Sequence, residues 1–340
     1  MKKIVYLFGA GASCGCLPIV NQQSDRMDKM IDTLNQAGIA LSETEYFDGL
    51  PGNKTQRNIQ IEMINDLRDL AKLSRRHASI DTAAKKLFIK NDDTGLLKLK
   101  LGLSVFLICE QLLNPPDKRY DGFFAAILGT AKHDLPNNIR IVTWNYDFQF
   151  ELSFMEYSDD FRIDASRSYL PGRAKFDDAR DNADIKRFGI FKLNGSPTLY
   201  QPNAYLQLDY ITSYKGTLDL KNIQDITRSY GLGIYKNNHV KPGISFAWEK
   251  QGTTVNIVET VVNNTSDAEV LVVVGYSFPF FNREIDREII QKMPNLKKVY
   301  FQSPEANNLI ERFHAISDKA DQIQLIAVND TQQFYLPNEL

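Results

Sequence analysis

The run Ile4-Val5-Tyr6-Leu7-Phe8 passes without interruption into Gly9-Ala10-Gly11-Ala12-Ser13-Cys14-Gly15. A short apolar run with β-branched members, stopped by glycines, reads as a buried strand of a parallel sheet. The glycines permit a tight turn and a close approach of backbone to a ligand. Where a helix begins next to such a turn, its free amides and its dipole favour a bound phosphate. Small residues at Ala10, Ala12 and Ser13 leave room for a ligand, and Ser13 adds a hydroxyl. Two uses fit this segment, a phosphate site and a plain strand connection. It is not the dehydrogenase fingerprint: the last glycine comes one place late, and no second strand ends in an acid about twenty residues on. Asp28 and Asp32 fall inside a predicted helix instead, and no Gly-Lys-Ser or Gly-Lys-Thr follows the turn.

Downstream, apolar spacing predicts helices over 24–37, 58–75, 78–90, 96–113 and 120–132, with 38–57 as a loop or short insertion. Strand character returns at Ile139–Thr143, Ile190–Leu193, Val270–Val274, Leu296–Phe301 and Gln324–Val328, with helices expected over 253–264 and 304–320. This alternation predicts an α/β fold: a Rossmann-like, mostly parallel sheet flanked by helices. The core is assigned to 1–20, 138–156, 188–200 and 253–335, with a helical insertion at 21–137, an excursion over the sheet at 157–187 and a cap region at 201–252.

The composition narrows the function. A formal net charge of -2 over 340 residues is unlike that of a general nucleic-acid binder, which needs a concentrated positive field, although it leaves room for a local basic groove. Three cysteines, Cys14, Cys16 and Cys109, cannot form a four-cysteine zinc site. The histidines, His77, His133, His239 and His314, are scattered, so no metal is expected. The low cysteine count fits a reducing compartment, and the apolar runs are strand-sized rather than membrane-spanning. With no recognisable signal peptide, the expected location is the cytoplasm.

In an open α/β sheet, ligands bind beyond the carboxyl ends of the strands. Four strand ends carry small or polar groups: the glycine turn, Thr143-Trp144-Asn145-Tyr146-Asp147, Asn194-Gly195-Ser196 and Gly275-Tyr276-Ser277-Phe278. Asn145 is suited to orient a ribose hydroxyl or a water, and Asp147 to accept a proton or face positive charge. The alternative is that both cap a helix starting at 147 or 148. Gly275 and Ser277 fit either a ligand's phosphate or ribose, or a simple turn. Trp144 and Tyr146 read as packing groups, Cys14 and Cys16 as small residues rather than a redox pair, and Arg283, Glu284, Asp286, Arg287 and Glu288 as a solvated helix face.

Four pieces, Phe8-Gly9-Ala10-Gly11-Ala12-Ser13, Thr143-Trp144-Asn145-Tyr146-Asp147, Lys192-Leu193-Asn194-Gly195-Ser196 and Val274-Gly275-Tyr276-Ser277-Phe278, occur in the order found in the sirtuin-like NAD-binding domains. The chain resembles that family, in particular its bacterial anti-phage-defence branch. The resemblance implies that Gly9, Ala10, Gly11, Ala12 and Ser13 hold the NAD pyrophosphate and that Asn145 sits by the nicotinamide ribose, where it positions water. It implies further that Asp147 supports that pocket, that Gly275, Tyr276 and Ser277 line the ribose and phosphate side, and that Ser303 and Glu305 face the adenosine half. Asn194 stands where the family usually has a histidine that acts as a general base, and an asparagine amide can only hydrogen-bond. The family's zinc ribbon has no counterpart here, which argues against protein deacylation. Two functions follow as expectations. One is hydrolysis of NAD to nicotinamide and ADP-ribose. The other is a non-catalytic sensor or interaction module for NAD, ADP-ribose or a related nucleotide, working with a defence-system partner or as a homo-oligomer.

Overall fold

The computed structural model describes residues 2–130, 134–158, 169–174, 187–201, 206–208, 215–236, 240–249 and 256–340. Most of the proposed excursion 157–187, part of the proposed cap 201–252, His133 and His239 lie outside the described residues.

Along the chain, β1 (Ile4–Phe8) is followed by four helices, α1 (Gln23–Ala37), α2 (Gln56–Arg76), α3 (Ile80–Ile89) and α4 (Asp93–Leu113), and then by α5 (Lys118–Ile127). Next come β2 (Ile139–Thr143), α6 (Gln149–Met155), β3 (Gly172–Ala174), β4 (Gly189–Lys192), β5 (Gly195–Gln201) and β6 (Leu206–Leu208). The remainder is α7 (Leu220–Tyr235), β7 (Lys241–Ile244), α8 (Ile257–Thr265), β8 (Val270–Val274), α9 (Arg283–Gln291), β9 (Lys298–Gln302), α10 (Ala306–His314) and β10 (Gln324–Val328). These elements form two compact units. One comprises 1–15, 116–196 and 245–340, and the other comprises 16–115 and 197–244. The division assigns α5, read from sequence as part of the insertion 21–137, to the unit that holds the large sheet.

That sheet has seven strands in the order β10-β9-β8-β1-β2-β4-β3, and its strand pairs run parallel. The fold is therefore a Rossmann-like α/β arrangement with a parallel sheet. β1 sits centrally, and all five of its residues are buried, which explains why it is apolar throughout instead of alternating. Its side chains divide between two cores. Val5 and Leu7 pack with Val258 and Val261 of α8, Ile289 and Ile290 of α9, and Leu309 and Phe313 of α10. Ile4, Tyr6 and Phe8 pack with Phe123 and Phe124 of α5, Phe150 and Phe154 of α6, and Phe334. Phe8 meets Phe150 and Phe334 edge-on at 5.0 and 5.1 Å, a favourable aromatic geometry.

The second unit is built of helices with a small sheet. α2 begins with a reciprocal capping box between Thr55 and Asn58, and α3, α4 and α7 begin at Ser79, Asp92 and Asp219, whose side chains accept backbone N–H bonds. α4 is buried over most of its length, and its Glu110 is ion-paired with Arg26 of α1. β5 pairs antiparallel with β6 in a three-stranded sheet of order β6-β5-β7. Among the described residues, no helix is long and apolar enough to cross a membrane.

Candidate functional site

The sheet register places its strand ends in one row. Phe8 pairs with Thr143 on one side and Val274 on the other, Thr143 pairs with Lys192, and Val274 pairs with Gln302. The segments that leave these residues begin at Gly9, Trp144, Leu193, Gly275 and Ser303, so every sequence-predicted site residue follows a strand end on the same edge. The chain departs from β1 toward β2 and later from β8 toward β9, which makes the gap between β1 and β8 the topological switch point.

The two segments flanking that gap touch through their main chains. Gly9 N donates to Val274 O at 3.0 Å, and Gly11 N donates to Gly275 O at 2.9 Å. A Cβ on Gly9 would lie 2.6 Å from Tyr276 Cα, and one on Gly11 would lie 2.9 Å from Gly275 Cα. Gly275 has φ +58, and a Cβ there would fall 2.4 Å from Ala12 N. The glycines are thus required for the packing of one tip on the other, a use the sequence reading did not assign to them. Residues 10–13 form a single 3-10 turn, in which Ala10 is exposed while Ala12 and Ser13 are buried.

Ser13 is the hub of a buried polar cluster. Its hydroxyl donates to Asp147 Oδ2 at 2.6 Å, lies 2.8 Å from the Tyr120 hydroxyl, and accepts from Asn145 Nδ2 at 3.1 Å. Asn145 Nδ2 also donates to Gly9 O at 3.0 Å, so this amide ties the β2 tip to the β1 tip. Asp147 Oδ1 accepts from Gln149 N at 3.3 Å, so Asp147 also serves the start of α6. Burial pushes the Asp147 carboxyl up from its ordinary value, and the Ser13 hydrogen bond and the Lys192 charge act against that rise. Burial likewise raises the Tyr120 phenol well above its usual range. Lys192, itself buried, donates to Asp147 O at 2.6 Å, pairs with Glu151 Oε1 at 2.5 Å, and lies 4.5 Å from the Phe148 ring centre.

The glycine turn is also held from α5. Arg119 donates to Gly11 O and Ala12 O, both at 3.0 Å, and pairs with Asp117 at 2.6 Å, while Asp117 accepts from Gly15 N at 2.9 Å. Burial would raise the Asp117 carboxyl, but the hydrogen bonds and charge of Arg119 outweigh it and hold the group below its ordinary value.

Asn194 lies in the tight turn between β4 and β5, closed by Gly195 at φ +77. Its Nδ2 donates to Trp144 O at 3.2 Å, and its main-chain oxygen accepts from Ser245 N at 2.9 Å. Among the described residues, the buried Asn194 Oδ1 and Ser245 Oγ have no hydrogen-bond partner. A buried acceptor without a donor costs about 1–3 kcal/mol, so these two atoms are open to a further hydrogen bond. Phe246 and Trp248 follow, stacked with centroids 5.4 Å apart.

The remaining predicted residues lie further along the same edge. Tyr276 is buried and its hydroxyl donates to Asp286 at 2.6 Å. Ser277 is exposed, and its carbonyl accepts from Arg312 at 2.7 Å. Ser303 Oγ accepts from Glu305 N at 3.2 Å, and the exposed Glu305 sits at the start of α10. Hydrogen bonds join Gly9, Ser13, Asn145 and Asp147 directly and Gly11 to Gly275, whereas Ser303 bonds to Glu305 at the start of α10.

Sequence reasoning missed Lys192 and Glu151 as a buried pair, and it left Asp117, Arg119 and Tyr120 inside the insertion. The Pro115-Pro116 break, followed by the capping Asp117, is the signal that could have separated the helix predicted at 120–132 from the rest of the insertion. The reading of 283–288 as a solvated face is corrected at one position: Asp286 is only 2% exposed and points into the core.

Among the described residues, no group of three or more His, Cys, Asp or Glu side chains could hold a metal ion. No protein-family model matches the chain, and no curated protein matches it.

Proposed function

We propose that the chain binds NAD, ADP-ribose or a closely related dinucleotide at the carboxyl edge of its parallel sheet, across the tips of β1, β2, β4 and β8. The observation that carries this reading is Asn194 Oδ1, a buried acceptor that lacks a donor among the described residues, two residues beyond the end of β4 and bonded through its amide to the β2 tip. A ribose hydroxyl supplies the donor such an atom needs. The groups around it fit the ligand in part. Asn194, Ser245 and the tips at a switch point suit a ribose. The amides of Gly9 and Gly11 are already engaged by carbonyls, so a pyrophosphate would approach by the exposed Ala10 instead.

Binding without base-catalysed chemistry is the activity the geometry favours. Asn194 has no proton-accepting nitrogen near neutral pH, and Asp147 is committed to Ser13 and Gln149. Hydrolysis of NAD to nicotinamide and ADP-ribose is the second reading. An oxocarbenium-like transition state relies on surrounding charge more than on a strong base, and the Asp147 carboxyl lies in the same cluster as Asn145. On either reading the setting we propose is cytoplasmic anti-phage defence, with a protein partner or a second copy reading out the bound nucleotide.

Calorimetric titration with ADP-ribose, together with chromatography of nicotinamide after incubation with NAD, tests both. Saturable binding without nicotinamide release supports the sensor. Release that disappears in Asn145→Ala supports the hydrolase. If the missing base alone silences cleavage, Asn194→His creates or increases release. No binding of either nucleotide overturns both readings.

A further inference from the structure

Asp286 is buried on α9, and its carboxylate joins two strand tips that stand on opposite sides of β1. Oδ1 accepts from the Trp144 indole at 3.0 Å, and Oδ2 accepts from the Tyr276 hydroxyl at 2.6 Å. The two rings stack at 6.3 Å with planes 15° apart. Trp144 adjoins Asn145, and Tyr276 supplies the atoms against Gly9 as well as the residue between Gly275 and Ser277. A carboxylate in an apolar core costs more than a well-packed hydrophobic residue of similar size, so stability alone does not account for an acid here.

We propose that Asp286 is a positioning residue whose charged form holds the β2 and β8 tips at the spacing that the nucleotide site requires. The inference rests on the dinucleotide reading for its ligand, but the tie itself does not. Trp144 Nε1 can only donate, so a proton added to the carboxyl must reside on Oδ2. The Tyr276 phenol would then have to turn from donor to acceptor, loosening the ring that abuts Gly9. Burial pushes the Asp286 carboxyl up to about 7, and the Tyr276 and Trp144 hydrogen bonds act against that rise. On its own helix, Arg283 stacks over the Phe280 ring, Arg287 donates to Ala315 O, and Glu284 and Glu288 are exposed. On α8, which packs against α9, Glu259 is exposed.

The test has two arms. In a Trp248→Phe background Trp144 is the only tryptophan, and its emission should titrate with a midpoint near 7. Asp286→Asn should abolish that titration, and Tyr276→Phe should move the midpoint upward by removing a bond that favours the charged form. In the otherwise unaltered protein, ADP-ribose affinity should rise at least threefold from pH 6 to pH 8, and in Asp286→Asn it should stay at the low-pH level. An emission titration that Asp286→Asn removes supports the tie even where ADP-ribose does not bind, a result that removes the dinucleotide reading alone. Emission without a titration near neutrality overturns the proposal, as does Asp286→Asn with the parent's affinity and pH profile.

Discussion

Gly275→Ala separates two costs that the fold imposes at one residue. The backbone at Gly275 is left-handed, with φ +58, and this conformation costs a side-chain-bearing residue about 1–2 kcal/mol. The added methyl would also stand 2.4 Å from Ala12 N and 2.5 Å from Gly11 C, both backbone atoms of a turn pinned by Arg119 and therefore unable to move aside cheaply. Overpacking of this kind costs roughly 1–3 kcal/mol. The expected loss is therefore roughly 2–5 kcal/mol. Three other glycines serve as controls. Gly49→Ala has the strain alone, with φ +83 and its nearest neighbour at 3.7 Å. Gly11→Ala has the collision alone, at 2.9 Å from Gly275 Cα, and Gly52→Ala has neither. Urea unfolding followed by circular dichroism should order their midpoints as Gly52→Ala near the parent, Gly49→Ala and Gly11→Ala lower, and Gly275→Ala lowest. A Gly275→Ala midpoint equal to that of Gly49→Ala would refute the tip-to-tip contact. By the same geometry Gly11→Val should lower folding stability, because a Cβ at Gly11 meets the Gly275 backbone at 2.9 Å.

Other perturbations test the rest of the account. Ser13→Ala removes the donor to Asp147 and an acceptor for Asn145, so it should cost about 1–3 kcal/mol and raise the Asp147 carboxyl further, as measured by urea unfolding and carboxyl NMR titration. Asn194→Leu removes the acceptor that lacks a donor among the described residues, and with it the amide that donates to Trp144 O, two effects of opposite sign that offset each other in part. It should leave folding stability within about 1 kcal/mol of the parent while weakening ADP-ribose binding; a large loss of stability with unchanged affinity would count against Asn194 as a ligand group. For Asp286 the pH effect on stability has a definite sign. Its folded value of about 7 exceeds the ordinary carboxyl value of 3.8, so between these limits the folded state holds a proton that the unfolded chain has lost. Its contribution to stability therefore declines as pH rises from about 4 to about 7 and levels off above, and Asp286→Asn should flatten that part of the pH–stability curve.

The large sheet was legible in sequence because its strands are buried on both faces. Ile4–Phe8 and Val270–Val274 are continuous apolar runs bounded by glycine, a pattern that few other environments produce. The helix predicted at 304–320 stops at His314, since Ala315 to Ile316 turns into a loop that ends in a 3-10 turn at 320–322. The missing helix was α7. Its apolar residues Ile223, Ile226 and Tyr230 follow helical spacing and Asp219 caps it, but the surrounding aromatics and amides obscure that period. The short strands β3, β6 and β7 have three or four residues each, too few for a period of two to register. At the site, the order of the tips was readable and their mutual bonding was not. Nothing in a one-dimensional pattern says that Ser13 and Asp147, 134 positions apart, share a hydrogen bond. For the same reason Asp286, surrounded in sequence by Arg283, Glu284, Arg287 and Glu288, looked solvated. Only the phase of α9 turns that one acid inward.

A crystal structure of the protein grown with ADP-ribose would show where the nucleotide lies. A ribose hydroxyl is expected within hydrogen-bonding distance of Asn194 Oδ1, with a phosphate over the exposed face of the Ala10–Ser13 turn. A nucleotide bound elsewhere, or an Asn194 amide that meets only water while the ligand is absent at millimolar concentration, would contradict that placement.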